Sequence, residues 1–321
     1  MINSDLSLQL CNAYSYPDSG PITTLAFTKN NCRKTLLSVA TSDRFISIYG
    51  LEGSSLKKKF SYKYHLQGIN RLKFCPSSTL LVSGGNDLTV NIFDIERQCL
   101  FRSFTTESVV TSLDINYASN LLIIGTYENY VSLYDIRTRN IIVKMIAHSE
   151  PITSVVFSED SSVFITTSYD SFCRIWDVFR FSCLKTYVLE NSPPLNSCCL
   201  MPNEDYIMLN AFEGRNEIVN ISNEEEVKKY TGNKHQSYLI DCSIYNSSNG
   251  SYHIICGDED GYLCSWNILS TSQCKKHPIN TSCVINSMDY SQGVIACAGL
   301  NDNTNSVYLL KEIGSMEIEM E

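Results

Sequence analysis

The chain has 321 residues, of which 43% are hydrophobic and 18% are charged, and its formal net charge is −9. This supplies enough apolar material for a large buried core and excludes a disordered chain. The negative charge disfavours direct binding to a phosphate backbone and favours basic peptides as partners.

The cysteines and the N-terminal sequence indicate the cellular compartment in which the protein is expected. The fourteen cysteines are scattered, mostly among apolar neighbours, where free cysteine acts as a small hydrophobe. The first residues, MINSDLSLQL, lack the basic and apolar regions of a secretory signal, and no segment approaches about 18 consecutive apolar residues. We therefore expect an intracellular protein that is not secreted and does not span a membrane.

A short motif recurs in chain order: an acidic turn, an apolar strand, a bulky residue and usually Asp or Asn. Its copies read SDRFISIYG at 42–50, NDLTVNIFD at 86–94, YENYVSLYD at 127–135, YDSFCRIWD at 169–177, FEGRNEIVN at 212–220, EDGYLCSWN at 259–267 and a degraded NDNTNSVYLLK at 301–311. The steps between their ends are 44, 41, 42, 43, 47 and 44 residues. This period is typical of four-stranded WD-repeat blades.

We therefore predict an all-β fold, a seven-bladed WD-repeat β-propeller that forms one domain over residues 1–321. The predicted blade ends lie near residues 50, 94, 135, 177, 220, 267 and 311. The segment LSLQLCNAY at 6–14 precedes the first blade and has no blade of its own. We expect it to pair as the outer strand of the last blade and so to close the ring.

The fourth repeat contains a polar constellation: His148, Thr166, Asp170 and Trp176. In WD repeats this set forms a buried hydrogen-bond network that links indole, hydroxyl, imidazole and carboxylate. A hydrolase triad is the alternative interpretation, but no GxSxG motif accompanies it. In the sixth repeat we expect Asp260 and Trp266 to take the corresponding places.

Motifs for metals and cofactors are weak or missing in the sequence. CKKH at 274–277 offers two ligands without a second pair at zinc-finger spacing, and SGGND at 83–87 lacks the lysine of a phosphate loop. The sequence therefore predicts no metal, no cofactor and no enzyme activity.

The stretch AHSEPITSVVFSEDSSVFITTSYDSFCRIWD at 147–177, with CLKT at 183–186 and NSPP at 191–194, resembles a known family. It is similar to the propeller subunit shared by COMPASS and MLL-type histone lysine methyltransferase complexes, and the similarity extends from about residue 20 to 311. The resemblance implies a non-catalytic scaffold. In that family the mouth of the central channel takes an arginine between two phenylalanines, and a cleft on the opposite face holds a linear segment of a partner subunit.

Carried over to this chain, the resemblance implies a peptide-binding mouth. Its residues would be Ser38, Asn70, Asn86, Thr111, Tyr127, Tyr169, Tyr238 and Asp241, with Thr23, Pro151 and Thr153 on the rim. The two clamping positions read Thr111 and Asp241, so we expect Asp241 to pair with the guanidinium of a partner in place of ring stacking. A closed or repurposed mouth that takes no arginine remains the alternative.

The resemblance also places Asn203, Tyr206, Ile218 and Ile244 at the second cleft. Exposed apolar side chains beside Asn and Tyr suit an extended segment. Ordinary packing between blades is the alternative for the two isoleucines.

The expected function is a nuclear protein–protein scaffold, with some presence in the cytoplasm left open. The first hypothesis is a monomeric propeller within a histone H3 lysine methyltransferase complex, with methyltransferase subunits and the histone tail as partners and no direct contact with nucleic acid or membrane. The alternative is a WD-repeat adaptor in RNA processing or ubiquitin ligation.

Overall fold

The computed structural model describes residues 6–16, 20–29, 34–138, 140–222, 226–269, 273–300 and 305–313. The acidic turn of the seventh repeat, at 301–304, lies outside these ranges. All regular structure in the described residues is β-strand, arranged as seven four-stranded antiparallel sheets. None of the described residues forms a helix that could cross a bilayer.

Each sheet is a meander of four consecutive strands, apart from the last. The first is β2 (Ile22–Phe27), β3 (Leu36–Thr41), β4 (Ile46–Glu52), β5 (Ser55–Tyr62). The second is β6 (Ile69–Phe74), β7 (Leu80–Gly85), β8 (Thr89–Asp94), β9 (Cys99–Thr105). The third is β10 (Val110–Ile115), β11 (Leu121–Thr126), β12 (Tyr130–Asp135), β13 (Asn140–Ile146). The fourth is β14 (Ile152–Phe157), β15 (Val163–Ser168), β16 (Phe172–Asp177), β17 (Cys183–Val188).

The remaining three sheets complete the ring. The fifth is β18 (Leu195–Leu200), β19 (Tyr206–Ala211), β20 (Arg215–Asn220), β21 (Glu226–Thr231). The sixth is β22 (Cys242–Asn246), β23 (Tyr252–Gly257), β24 (Tyr262–Asn267), β25 (Lys275–Pro278). The seventh is β26 (Val284–Ser291), β27 (Val294–Leu300), β28 (Ser306–Glu312) and β1 (Leu8–Ser15).

The ring closes as predicted, through the N-terminal strand. β1 pairs antiparallel with β28, from Leu8 opposite Glu312 to Ser15 opposite Ser306. The first strand of each sheet contacts the first strand of the next, and β2 contacts β26, so the seven inner strands surround a central channel. The all-β, seven-bladed prediction is confirmed.

The core lies between the blades, where each sheet packs its apolar face on the next. Between blades five and six, for example, Met208 and Ile218 pack against Ile254 and Trp266, all of them buried. The second and third strands are buried on both faces, which explains their near-continuous runs of β-branched and aromatic residues. The fourth strands are more exposed because they form the outer edge, and β9 alternates between exposed and covered residues.

Polar side chains of the inner strands link neighbouring blades. Ser112 Oγ and Asp114 Oδ2 in blade three accept hydrogen bonds from the backbone N–H of Val155 and Phe157 in blade four, at 3.0 and 2.9 Å. In blade seven, Ser287 Oγ and Asp289 Oδ2 accept from Leu25 and Phe27 at 3.1 and 2.6 Å. These bonds satisfy donors of an inner strand that has no further sheet neighbour, and they fix the spacing of the ring.

Candidate protein-binding face and channel mouth

One face of the ring carries both the turns after the second strands and the segments that lead into the inner strands. We call it the upper face. Its turns and lead-in segments are joined by backbone hydrogen bonds: Ser42 to Pro21, Asn86 to Gly68, Tyr127 to Val109, Tyr169 to Pro151 and Phe212 to Pro194. Residues on these turns therefore surround the upper mouth of the channel.

A ring of polar residues lines that mouth, one from each blade. Six inner strands have a β-bulge near their start, at the second residue in five strands and at the third in β26, because the register slips by one residue there. The ring comprises Thr23, Asn70, Thr111, Thr153, Asn196 and Asn286, together with Asp241, which precedes β22. The three asparagines of the ring reach the neighbouring blade, as in Asn70, whose Nδ2 donates to the Val110 carbonyl at 2.8 Å, whereas the three threonines form hydrogen bonds within their own blades.

An arginine of the chain itself crosses the channel just below this ring. Arg71, on the inner strand of blade two, places Nη1 2.6 Å from Asp241 Oδ1 at blade six. Its Nε–H donates to the Thr111 carbonyl at 3.3 Å. Asp241 Oδ2 accepts a second hydrogen bond, from Ser287 Oγ at 2.7 Å. The Arg71–Asp241 ion pair thus spans the channel between blades on opposite sides of the ring.

This geometry gives Asp241 an ion-pair partner within the chain, and its pairing with a guanidinium of another protein stays a prediction. We expected the Asp241 carboxylate to be free to pair with the guanidinium of a partner, but it already pairs with the guanidinium of Arg71. The reason is steric reach: a seven-bladed channel is narrow enough for one extended arginine to cross it. Thr111 keeps its place at the mouth, but its hydroxyl donates to the Gly125 carbonyl at 3.1 Å within its own blade.

Ser38 was also expected at the mouth, and the structure places it elsewhere. It lies in the middle of the second strand of blade one, is fully buried, and donates to the Ala26 carbonyl at 3.1 Å. Its hydroxyl satisfies an interior hydrogen bond and presents nothing to a partner. Asn86, by contrast, is exposed on the upper face and accepts a hydrogen bond from Asn70 at 2.7 Å.

Aromatic side chains from four neighbouring blades lie on the upper face beside the mouth. We call Tyr127, Tyr169, Phe212 and Tyr238 the aromatic crescent. The Tyr169 and Phe212 rings have centroids 5.9 Å apart, and Phe212 lies 4.6 Å from the ring of His235. Tyr127 and Tyr238 are 61% and 47% exposed. The crescent offers aromatic faces to solvent from blades three to six.

The loop that presents Tyr238 is held firmly. Glu259 Oε1 accepts the backbone N–H groups of Gln236 and Ser237 at 2.7 and 2.6 Å and that of Tyr238 at 3.2 Å. Burial alone would raise the pKa of Glu259, but these donors hold it below its usual value. His235 Nε2 lies 2.9 Å from the Tyr238 carbonyl, and burial lowers the pKa of His235, which favours the neutral form of its ring.

The second predicted cleft is largely corrected by the structure. Ile218 and Ile244 are 3% and 6% exposed and pack in the core between blades five and six. Their side chains therefore bind the two blades together and are not available to a partner. Asn203 is exposed and its Nδ2 donates to Asp205 at 3.0 Å, while Tyr206 is partly exposed at the start of β19. A contact of these two residues with a partner stays a prediction.

The polar constellation of blade four forms a single buried chain. His148 Nδ1 lies 3.0 Å from both carboxylate oxygens of Asp170, and Nε2 lies 2.7 Å from Thr166 Oγ1. Trp176 Nε1 donates to the same hydroxyl at 2.9 Å. Because His148 and Thr166 are 2% and 0% exposed, no substrate could reach the hydroxyl, which argues against the hydrolase interpretation. Blade two repeats the pattern with His65, Ser83 and Asp87.

In blade six the buried carboxylate belongs to Asp258, two residues before the predicted Asp260, so that prediction was wrong. Asp258 is the buried acid, at 0% exposure, and its Oδ2 lies 3.0 Å from Lys276 Nζ. Asp260 is exposed and pairs with Lys234 at 2.8 Å. The turn holds three consecutive acidic residues, and only the first directly follows the buried strand β23. Trp266 Nε1 donates to the Thr231 carbonyl at 3.0 Å instead of to a hydroxyl.

Sequence reasoning missed Arg71, Phe212 and His235. One signal was available for Arg71: it occupies the inner-strand position at which four other blades carry serine. Those serines are Ser112, Ser154, Ser197 and Ser287. A charged side chain at a repeated small polar position indicates a specific partner, although the repeat alone does not name that partner.

Comparisons with known proteins identify the family of the chain. A model described as nucleolar protein 10-like, N-terminal domain, matches residues 21–219. U3 small nucleolar RNA-associated protein 21 of Saccharomyces cerevisiae is 24% identical over 153 residues, which cover 48% of this chain and 16% of that protein. COMPASS component SWD3 of the same yeast is 23% identical over 263 residues, covering 75% of this chain and 82% of that protein.

A third relative belongs to another assembly. Eukaryotic translation initiation factor 3 subunit I of Aspergillus oryzae is 25% identical over 202 residues, which cover 58% of this chain and 59% of that protein. The chain thus spans less than two thirds of the length of two of these three relatives. Neither the family nor these relatives bear the name of an enzyme. Because the family model covers more than half of the 321 residues, the chain belongs to the nucleolar protein 10-like N-terminal domain family and is a WD-repeat β-propeller.

Proposed function

We propose that this chain is a non-catalytic scaffold whose upper face docks extended segments of partner proteins. The aromatic crescent carries the proposal. Tyr127 and Tyr238 are largely exposed at its two ends, and rings in this setting supply contact area at a low cost in side-chain entropy. The crescent and the adjacent His235 come from four neighbouring blades. A peptide segment that lies along the crescent would therefore contact all four blades.

The charge around the crescent supports a basic segment as the partner. Glu128 and Glu213 are exposed and follow Tyr127 and Phe212 directly in the sequence. Neither glutamate forms an ion pair with a cation in the described part of the chain, and the net charge of −9 adds a long-range attraction. A lysine or arginine of a partner would meet both a carboxylate and an aromatic face here.

Two assemblies are candidates for the scaffold. The family description and the U3 small nucleolar RNA-associated relative support a place in nuclear RNA processing. The net charge of −9 favours proteins over RNA as the direct contacts. The COMPASS component, which aligns over most of both chains, supports a histone H3 lysine methyltransferase complex as the second candidate. That candidate requires an arginine to enter the mouth, where Arg71 now lies, so we favour the first.

We expect that alanine at both ends of the crescent removes partners without harming the fold. Tagged wild type and a Tyr127→Ala/Tyr238→Ala variant would be purified from the cells that make the protein, and bound proteins identified by mass spectrometry. Proteins of nuclear RNA processing, lost from the variant, would support the first candidate, and methyltransferase subunits would support the second.

A matched control uses an aromatic residue distant from the crescent. Phe179 is 80% exposed and follows the third strand of blade four, at the opposite end of the sheet from the upper face. Phe179→Ala should keep the wild-type partners, and all variants should melt at the wild-type temperature. The same partners on the crescent variant as on the wild type would remove the crescent from the docking surface.

A further inference from the structure

Arg71 is an exception among the residues that line the upper channel. The equivalent residue in each of the other inner strands is small: Thr24, Ser112, Ser154, Ser197, Cys242 and Ser287. In the blades other than blade six the equivalence follows from the bulge, since each of these residues comes directly after the bulged mouth-ring residue, and in blade six Cys242 directly follows Asp241. A single blade thus sends a long cation into a channel otherwise lined at this level by hydroxyl and thiol groups.

The groups that hold this cation form a site suited to guanidinium. The Asp241 carboxylate faces it at 2.6 Å, and the Thr111 carbonyl accepts its Nε–H at 3.3 Å. Charge-assisted hydrogen bonds of this kind are the strong ones in proteins. Both side chains are only about one-fifth exposed, at 19% for Arg71 and 22% for Asp241, so solvent screens the pair only in part.

The acceptor of this site is held in position by residues other than Arg71. Asp241 Oδ2 accepts from Ser287 Oγ at 2.7 Å, and the backbone N–H of Asp241 donates to the Asn286 carbonyl at 2.8 Å. Two contacts from blade seven therefore fix the carboxylate of blade six. The site would keep its shape if Arg71 left it.

We infer that the upper mouth of the channel is a guanidinium-binding site that the chain fills with its own Arg71, so that an arginine of a partner enters only by exchange with Arg71. A tethered ligand acts at an effective concentration of roughly millimolar or more, and a free arginine side chain competes poorly against it. Thr111 and Asp241 then hold a guanidinium without aromatic rings. The inference deepens the proposed function by naming the chemistry that this site accepts, but its test needs no partner protein.

The test replaces Arg71 with the serine that other blades carry. Melting temperature would be measured for the wild type, Arg71→Ser and Arg71→Ser/Asp241→Asn as guanidinium chloride is raised to roughly 20 mM, far below denaturing concentrations, with sodium chloride as the ionic control. We expect a saturable rise for Arg71→Ser, about 3 °C at ten times the dissociation constant. The wild type and the double variant should show no rise.

A second measurement addresses exchange. A blocked Ala-Arg-Ala tripeptide should bind Arg71→Ser at least ~10-fold more tightly than the wild type, and Ala-Lys-Ala should show no such gain. Equal affinity of the arginine peptide for both proteins would overturn the inference, as would an equal response of the double variant to guanidinium. Failure of the crescent variants to lose partners would leave these results unaffected, so the two proposals fail separately.

If Arg71→Ser does not fold, the pair is tested with near-isosteric changes. Arg71→Gln and Asp241→Asn would be combined in a double-mutant cycle, with the urea midpoint as the measurement. We expect the double variant to unfold at a midpoint no lower than that of the weaker single variant. Additive losses would show that Arg71 does not occupy the Asp241 site, and would overturn the inference.

Discussion

Deletion of residues 1–15 is expected to lower the melting temperature by about 5–10 °C, because this segment supplies the fourth strand of the last blade. β1 pairs with β28 through seven residue pairs. Leu6 is buried in the core between blades six and seven, and Tyr14 packs against the core between blades seven and one. Burial of one leucine contributes about 1.5–3 kcal/mol, and the exposed β28 edge adds a cost in unpaired backbone groups.

Thermal unfolding of residues 16–321 against the full chain measures this effect. A synthetic peptide of residues 1–15 should restore part of the lost stability when added in excess, since it can pair with the open edge. Phe179→Ala, a substitution at a side chain that is 80% exposed, is the control and should leave the melting temperature unchanged. An unaltered melt of residues 16–321 would contradict the closure of the ring by β1.

The second large effect is expected in the buried chain of blade four. His148→Ala should lower the free energy of unfolding by about 1–3 kcal/mol, because it leaves the Thr166 hydroxyl and the Asp170 carboxylate without their imidazole partner. Urea denaturation measures the loss, with the exposed Phe179→Ala as a control that should remain near the wild type. A loss below about 0.5 kcal/mol would mean that water replaces the imidazole at no cost.

The same chain predicts a dependence on pH. Burial alone would raise the pKa of Asp170, but the hydrogen bond and charge of His148 and the N–H groups of Ser149 and Phe172 outweigh it and hold the pKa at about 2. Since the ordinary value is 3.8, ionised Asp170 stabilises the fold above about pH 4, by roughly 2 kcal/mol, and this contribution is lost as the pH falls towards 2.

Asp170→Asn provides the comparison. The difference in unfolding free energy between the wild type and this variant should shrink as the pH is lowered from about 5 to 2. Protonation removes the negative charge of Asp170 from the wild type at low pH, whereas the substitution removes that charge at every pH. Asp87 in blade two also has a lowered pKa, but it is present in both proteins and cancels. A difference that stays constant over this range would show that the charge of Asp170 does not stabilise the fold.

The channel shows where inference from sequence reached its limit. The sequence pointed to Thr111 and Asp241 as the altered part of the mouth, and both do contact one guanidinium. The source of that guanidinium was not predictable, because Arg71 and Asp241 lie 170 residues apart and no pattern along the chain relates them. Likewise, an isoleucine can serve either as an exposed anchor for a partner or as a core residue. Only the packing in the tertiary structure shows that Ile218 and Ile244 are core residues.

Blade number, strand order and closure by the N-terminal segment followed from the sequence alone. Each blade is a local unit in which turn residues and alternation recur at nearly the same spacing, so neighbouring residues decide its form. The contents of the channel and the contact between the Tyr169 and Phe212 rings of the aromatic crescent were decided only by the tertiary structure. They depend on which side chains different blades bring to the axis, and that follows from ring closure and bulge geometry, which act on residues far apart in the chain.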